Sequence, residues 1–335
     1  MEKKIFSIII PTFNSESTLK QTLDSVAKQT LDKALLEVLL YDGGSNDKTV
    51  EIAQKYEFVS IYNNPDRLPE YAKLYGTRTA QGKYLIKMDS DEVFCSKKAL
   101  ENRFRAFEQF PDVPLLIADK MYTPHKKGMK NISSLYSTAV GDPFTFFMYR
   151  PKSSILETFK SNISKCSGDI YRLDFSSNDI RPIADGGTTT INLEMLRAEN
   201  IVDFDSLSDI SSMSDKIMNK YPCCLCILGD DVIHNNYISF GRFLEKLKFR
   251  IINNVYGSGD SGFSNRIISG SWKKYLFPIY SLSIIIPFVD SVLLSKKFHS
   301  LTFLLHPTYC VLTTFYICKY MFLKTFGKTV SNTKY

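Results

Sequence analysis

Gly82-Lys83-Tyr84-Leu85-Ile86-Lys87-Met88-Asp89-Ser90-Asp91-Glu92 joins a short apolar run to a pair of carboxylates. Tyr84 to Met88 reads as a buried strand, set between a turn glycine and acidic residues. In extended backbone, side chains two apart face the same side, so Asp89 and Asp91 are expected to present their carboxylates together. A hard divalent cation bridging diphosphate oxygens needs such ligands, and magnesium takes its remaining positions from water and substrate. An Asp-x-Asp alone is commonly a solvated turn, so its meaning depends on its surroundings.

Toward the N-terminus, short apolar runs alternate with helical periodicity. Ile5 to Ile10 is strand-like and stops at Pro11, and Ser17 to Gln29 carries Leu19, Leu23 and Val26 at helical spacing. Glu37 to Tyr41 is a second strand, Lys48 to Tyr56 a helix capped by Asn46 or Asp47, Phe58 to Tyr62 a third strand, and Glu70 to Ala80 a helix. This alternation predicts an α/β fold with a mostly parallel, doubly wound sheet, whose ligands bind beyond the carboxyl ends of the strands. Three polar clusters fall there: Pro11-Thr12-Phe13-Asn14, Asp42-Gly43-Gly44-Ser45 and Asp89-Ser90-Asp91. Neither a Walker loop nor a dinucleotide fingerprint is present, which removes the usual grounds for ATP hydrolysis or nicotinamide chemistry.

Downstream, Ala118 to Arg181 is irregular in period and reads as loops and short elements shaping an acceptor site. Gly186-Gly187-Thr188-Thr189-Thr190 is a flexible turn before a helix from Leu193 to Glu199, and Met213 to Tyr221 is a further helix. Cys223 to Leu228 reads as a buried strand. Two apolar stretches, Tyr275 to Leu294 and Leu301 to Leu323, contain Pro278, Pro287, Asp290, His306, Pro307 and Lys319. That composition suits a hairpin or helices lying in a membrane interface as readily as two spans, with a soluble core hairpin as the alternative.

The 335 residues are 44% hydrophobic and 23% charged, which excludes wholesale disorder. The net charge of +7 does not choose a partner by itself. Arg242, Lys246, Lys248, Arg250, Arg266, Lys273 and Lys274 precede the apolar stretches, and suit either anionic lipid on the cytoplasmic side or a solvated helix face. Seven cysteines lack framework spacing, which fits a reducing cytosol. Zinc held by Cys223, Cys224, Cys226 and His234 is disfavoured, because adjacent cysteines on a strand point to opposite faces. Met1 to Lys4 leads straight into the first apolar run, too short for a signal peptide, so no targeting segment is expected.

The first hundred residues or so resemble glycosyltransferase family 2, of the GT-A fold. The resemblance rests on Ser7 to Asn14, on Leu23-Asp24-Ser25-Val26 with Gln29, on Glu37 through Thr49, and on Gly82 to Glu92. It implies that Pro11, Thr12, Phe13 and Asn14 line a nucleotide base pocket and that Asp42 and Gly43 contact base or ribose. Asp89, Ser90 and Asp91 would serve ribose, diphosphate and a magnesium or manganese ion, with Asp91 the direct ligand. Gly43 departs from the family, which often has a second Asp there. Ser208-Asp209-Ile210-Ser211 is a partial match to the family's acidic pair, so Asp209 is the candidate base for the acceptor hydroxyl, with an N-cap as its other reading. Asp203 and Asp205 are substitutes. His234 takes the place of a histidine near the diphosphate or metal, or is structural, and Thr188, Thr189 and Thr190 after Gly186 and Gly187 resemble the loop that closes over the donor sugar, with backbone amides there to bind it.

These readings give residues 1–240 as the catalytic domain, 241–274 as a basic amphipathic link and 275–325 as a membrane-associating hairpin. The expected activity is inverting transfer from a UDP- or GDP-sugar to a glycan or polyprenyl-phosphate-linked acceptor at the cytoplasmic face of the cell membrane. No nucleic acid is expected as partner. The alternative is a non-catalytic relative that binds nucleotide sugar or glycan as a scaffold. A nucleotidyltransferase is a weaker option, because no Gly- and Arg-rich triphosphate loop lies near the first strand.

Overall fold

A computed structural model describes residues 3–124, 132–177, 179–182, 187, 189–256, 272–328 and 330; the side chains of 132, 208, 211, 253 and 254 are outside this description. The chain divides into two compact units: residues 1–122 with 152–235, and residues 123–151 with 236–335.

The first unit is built on one sheet. Strands β1 (Phe6–Thr12), β2 (Leu36–Asp42), β3 (Val59–Asn63) and β4 (Tyr84–Lys87) form its parallel part, in the order β3-β2-β1-β4. The register pairs Thr12 with Asp42 and Asp42 with Asn63, so all three strands release their chains at one edge. The run Ile8-Ile9-Ile10 is buried on both faces. Ile8 and Ile10 meet Leu19, Leu23 and Val26 of α1 (Leu19–Ala27), whereas Ile9 meets Ala72 and Leu74 of α3 (Pro69–Thr79) across the sheet. The short helix α2 (Thr49–Ala53) covers the first face. Neither Asn46 nor Asp47 is the N-cap, which is Lys48; Asp47 stands one residue earlier, and its carboxylate accepts from Thr49 N and Glu16 N. Close approach explains Gly76, where a Cβ would stand 2.7 Å from the Ile9 side chain.

Beyond β4 the sheet is mixed. A short β5 (Glu92–Phe94) pairs antiparallel with the end of β10 (Cys223–His234), and α4 (Ala99–Gln109) leads into β6 (Leu115–Tyr122). The order continues β4-β9-β6-β10-β8-β7, with β7 (Ile163–Ser167), β8 (Ile170–Asp174) and β9 (Thr189–Asn192) all antiparallel to their neighbours. Helices α7 (Ile155–Thr158), α8 (Leu193–Glu199), α9 (Leu207–Ser211) and α10 (Met213–Lys220) complete the Ile9 side. Cys223, Cys224 and Cys226 are buried in β10 and unpaired.

The second unit is helical. It takes in α5 (Ile132–Val140) and α6 (Pro143–Tyr149), in a stretch whose irregular period reads as loops. Their aromatic residues pair with segments more than a hundred residues away, which local periodicity does not register: Phe146 packs on His306, Phe147 on Phe277 and Tyr280. The remaining helices are α11 (Phe240–Tyr256), α12 (Phe277–Leu282), α13 (Ile285–Lys297) and α14 (His306–Thr325). The basic stretch from 241 is thus not a link: Phe243, Leu247, Ile251 and Ile252 of α11 are buried in this unit's core. Arg266, expected in that link, lies outside the described residues.

Candidate active site

The site lies where β1, β2 and β4 end. Asp42 is buried, and its carboxylate is fully used within the chain: Oδ1 accepts from the Thr12 and Ser45 hydroxyls, Oδ2 from Gly44 N and Ser45 N. A carboxylate offers about four acceptor sites, so Asp42 here shapes the loop rather than reaching outward. Asn14, at φ 49°, extends the same scaffold by accepting from Asn46 N. Pro11 and Thr12 are buried, whereas Phe13 is 52% exposed and presents its ring. A Cβ at Gly43 would stand 3.5 Å from that ring and 3.4 Å from Arg67 Cα, so the glycine keeps this edge open.

The segment Asp89-Ser90-Asp91-Glu92 is a turn rather than extended strand. Glu92 N donates to Asp89 O at 3.1 Å and Asp89 N donates to Glu92 Oε2 at 2.7 Å. The extended backbone expected from Asp89 to Asp91 is thus not found, and the turn gives the two aspartates different partners. Asp89 Oδ1 lies 3.5 Å from Lys73 Nζ on α3, and Asp91 Oδ1 lies 3.4 Å from His234 Nε2 at the end of β10. Ser90 is held from behind, its carbonyl accepting from the Thr22 hydroxyl and its own hydroxyl meeting Ser15. Burial lowers the basicity of His234, but the hydrogen bond and charge of Asp91, with Glu92 and Asp89 behind it, outweigh that and raise its pKa.

Glu92 does not join the acidic lip. It is buried, accepts from Asp89 N and Gly187 N, and its carboxyl is pushed up to about 8 by burial and then by the charge of Asp89. The Gly187 peptide is clamped from both ends, because its carbonyl accepts from Arg103 Nη1 at 3.0 Å. Arg103 is fully buried, pairs with Asp230 at 2.8 Å and also reaches Thr190. Gly187 N–H is therefore committed to Glu92 and does not stand open for a donor sugar, while Gly186 and Thr188 lie outside the described residues.

Lys73 and Arg103 carry no motif, and the sequence reading passes over both. A signal for Arg103 exists in its spacing: it falls with Ala99, Leu100, Ala106 and Phe107 on the buried face of α4, where a charge needs a partner. Lys73 meets Asp89 only through the packing of α3 on the sheet, which sequence does not display.

Asp209 lies in α9, beside the end of β4, where Lys87 Nζ reaches Ile210 O. Its carboxylate accepts from Asp203 N and pairs with Lys216. Burial would raise its pKa, but the Lys216 hydrogen bond and the Asp203 amide outweigh burial and lower it. In this arrangement Asp209 organises the turn from Asp203 to Ser206. Of its substitutes, Asp205 pairs with Arg78, and Asp203 accepts from Asp205 N.

Asp91 and His234 offer oxygen and nitrogen donors, and Asp89 is on the same turn. That chemistry suits manganese or magnesium, which draw several ligands from water and substrate. Among the described residues no group of three His, Cys, Asp or Glu stands ready around one point.

Residues 7–165 match "Glycosyl transferase family 2". The poly(ribitol-phosphate) beta-N-acetylglucosaminyltransferase TarS of Staphylococcus aureus is 31% identical over 120 residues, 34% of this chain and 21% of the relative. The dolichyl N-acetyl-alpha-D-glucosaminyl phosphate 3-beta-D-2,3-diacetamido-2,3-dideoxy-beta-D-glucuronosyltransferase of Methanococcus voltae is 36% identical over 86 residues, 24% of this chain and 27% of the relative. These alignments span about a fifth to a quarter of the relatives' length. The fold is shared with the mannosyltransferase PcManGT of Pyrobaculum calidifontis, solved with GDP-Man and Mn2+, at TM-score 0.54 and 13% identity over 95% of this chain and 88% of that one. With its parallel β3-β2-β1-β4 edge, this is a GT-A fold, in which residues 7–165 are similar to glycosyl transferase family 2.

Proposed function

We propose that the chain transfers a sugar, with inversion, from a UDP- or GDP-sugar to a glycan or polyprenyl-phosphate-linked acceptor at the cytoplasmic face of a membrane, in surface polysaccharide or glycoprotein glycan assembly. The observation that carries the reading is the strand-edge arrangement of Asp91 with His234 and Asp89 with Lys73 inside a family-2 domain. The relatives' names, which include phosphate-bearing polymers and a dolichyl phosphate-linked sugar, support a phosphate-linked acceptor. The exposed apolar helices of the second unit support a membrane surface as partner.

In this reading Asp91, Asp89 and His234 would hold a manganese or magnesium ion, which would supply positive charge to neutralise the leaving diphosphate. Lys73 adds positive charge on the same side, and the Phe13 ring offers a face to the base. The acceptor oxygen bonds to the anomeric carbon as the bond from that carbon to the diphosphate oxygen breaks. The electron pair leaves with the diphosphate and the hydroxyl proton passes to a carboxylate. Asp209 takes that proton only after exchanging Lys216 for the acceptor.

Asp91→Asn is expected to lower manganese-dependent release of nucleoside diphosphate by about 100-fold or more, with the thermal unfolding of the apoprotein unchanged. Undiminished turnover would refute the role. The pairing of Asp209 with Lys216 favours a second reading, a scaffold that binds donor without transfer. Asp209→Asn separates the two: a base is shown by lost transfer with donor affinity kept, and a cap by lost stability alone.

A further inference from the structure

We infer that residues Trp272 to Lys297 form a wedge that enters one leaflet of an anionic membrane and turns back without crossing it. This deepens the membrane part of the reading above and does not depend on the chemistry at Asp89 and Asp91.

The segments Trp272–Leu282 and Ile285–Lys297 together have the apolar length of a span, but they are bent by 89°. The bend is built in. Ile284 sits at φ 56°, which a β-branched residue rarely adopts, and Tyr280 of the first arm donates to Asp290 of the second at 2.6 Å. Arg150 at the end of α6 also pairs with Asp290, and His306 is held between Tyr136 and Tyr280. The polar side chains that argue against a span are therefore turned inward and satisfied by protein. Straightening the pair would strip Asp290 of both partners and carry it into hydrocarbon, at high cost.

The outer side has the opposite character. Ile279, Leu282, Ile285, Phe288, Val289 and Leu293 are exposed, Ile285 by 74%. Neither arm alone, at about 1.5 Å per residue, reaches across a hydrocarbon core of about 30 Å. Lys274 stands at the start of the first arm, next to Lys273, whose ammonium donates to Met148 O, and Lys296 and Lys297 stand at the end of the second. A bent apolar tip with lysines at both outer ends matches a single leaflet, with the ammonium groups among anionic headgroups and the tip in the acyl region.

Trp272, the only tryptophan of the chain and 72% exposed, is a built-in reporter. The full chain is titrated with vesicles of phosphatidylcholine alone or with phosphatidylglycerol, following tryptophan emission and co-flotation. Binding at least tenfold tighter to the anionic vesicles is expected. Ile285→Glu and Phe288→Glu should each weaken it more than tenfold, and joint replacement of Lys274, Lys296 and Lys297 by Gln should abolish the preference for anionic lipid. In sealed, cytoplasmic-side-out membrane vesicles, Ser300→Cys should react with an impermeant thiol reagent as fully as after detergent is added. Protection of Ser300→Cys until detergent is added means a span and overturns the inference. So does equal binding by the tip variants, or a concentration-dependent dimer that ignores vesicles. Donor-dependent thermal stabilisation of Ile285→Glu in solution, unchanged from the parent, keeps this test separate from that of the sugar-transfer reading.

Discussion

The two units distribute polarity in opposite ways. In the first, apolar residues fill both faces of the sheet, and the polar side chains that matter gather at one open edge, at Asp89, Asp91 and His234. In the second, Asp290, Arg150, Tyr280 and His306 are joined inside the helices while Ile279, Ile285 and Phe288 face out. Each unit uses an ion pair to fix a shape that packing alone would not. Arg103 with Asp230 fixes the Gly187 peptide, and Arg150 with Asp290 fixes a bend. The pairs differ in depth: Arg103 is fully buried, whereas Arg150 is partly open to water. Depth decides how much each is expected to matter.

The largest stability effect is expected at the deeper pair. Arg103→Met leaves Asp230 buried without its cation and should cost about 3–5 kcal/mol in urea unfolding, whereas Arg103→Met with Asp230→Leu should recover much of that loss. Recovery of stability without recovery of donor affinity would show that the pair is kept for the Gly187 peptide. Next is Gly187→Ala, whose Cβ would stand 2.8 Å from Glu92 Oε2 and 3.1 Å from Met88 Cγ. Such crowding costs about 1–3 kcal/mol and should raise the KM for donor more than it lowers kcat. Tyr280→Phe removes the hydroxyl that bridges the bend and should cost about 1 kcal/mol, while weakening vesicle binding. If it strengthens binding, the bend opposes insertion. The smallest effects compare one cap from each unit: Asn192 Oδ1 accepts from Met195 N, and Asp142 Oδ1 accepts from Thr145 N. Each change to Ala should cost about 1 kcal/mol, and a much larger loss at Asp142 would show that its contact with Arg250 matters more than the cap.

Strand and helix positions up to Met88 were legible because local periodicity and burial agree: Ile8 and Ile9 feed different cores, and the helix expected from Glu70 to Ala80 is found at Pro69–Thr79. The strand-end clusters were legible for the same reason. Turn geometry was not: the Asp89 to Glu92 turn closes on a side-chain acceptor, Glu92, which spacing alone makes equally able to face solvent. Partners from distant sequence were hidden too. Lys216 on Asp209, Lys73 on Asp89, and the aromatic contacts of Phe146 and Phe147 with His306 and Phe277 all depend on tertiary packing.

The four-residue strand β9 joins the two halves of the sheet, with β4 on one side and β6 on the other. Both neighbours are made well before it. At about 5–20 residues per second, synthesis leaves the facing edges of β4 and β6 unpaired for several seconds. Unpaired edges are sites of misassociation, and the pairings β9 makes reach back from Asn192 to Tyr84, a long-range closure that slows folding. Thr189 to Asn192 thus acts as the closing insert of the sheet, and a nascent chain arrested just before it should be the species that most needs a chaperone.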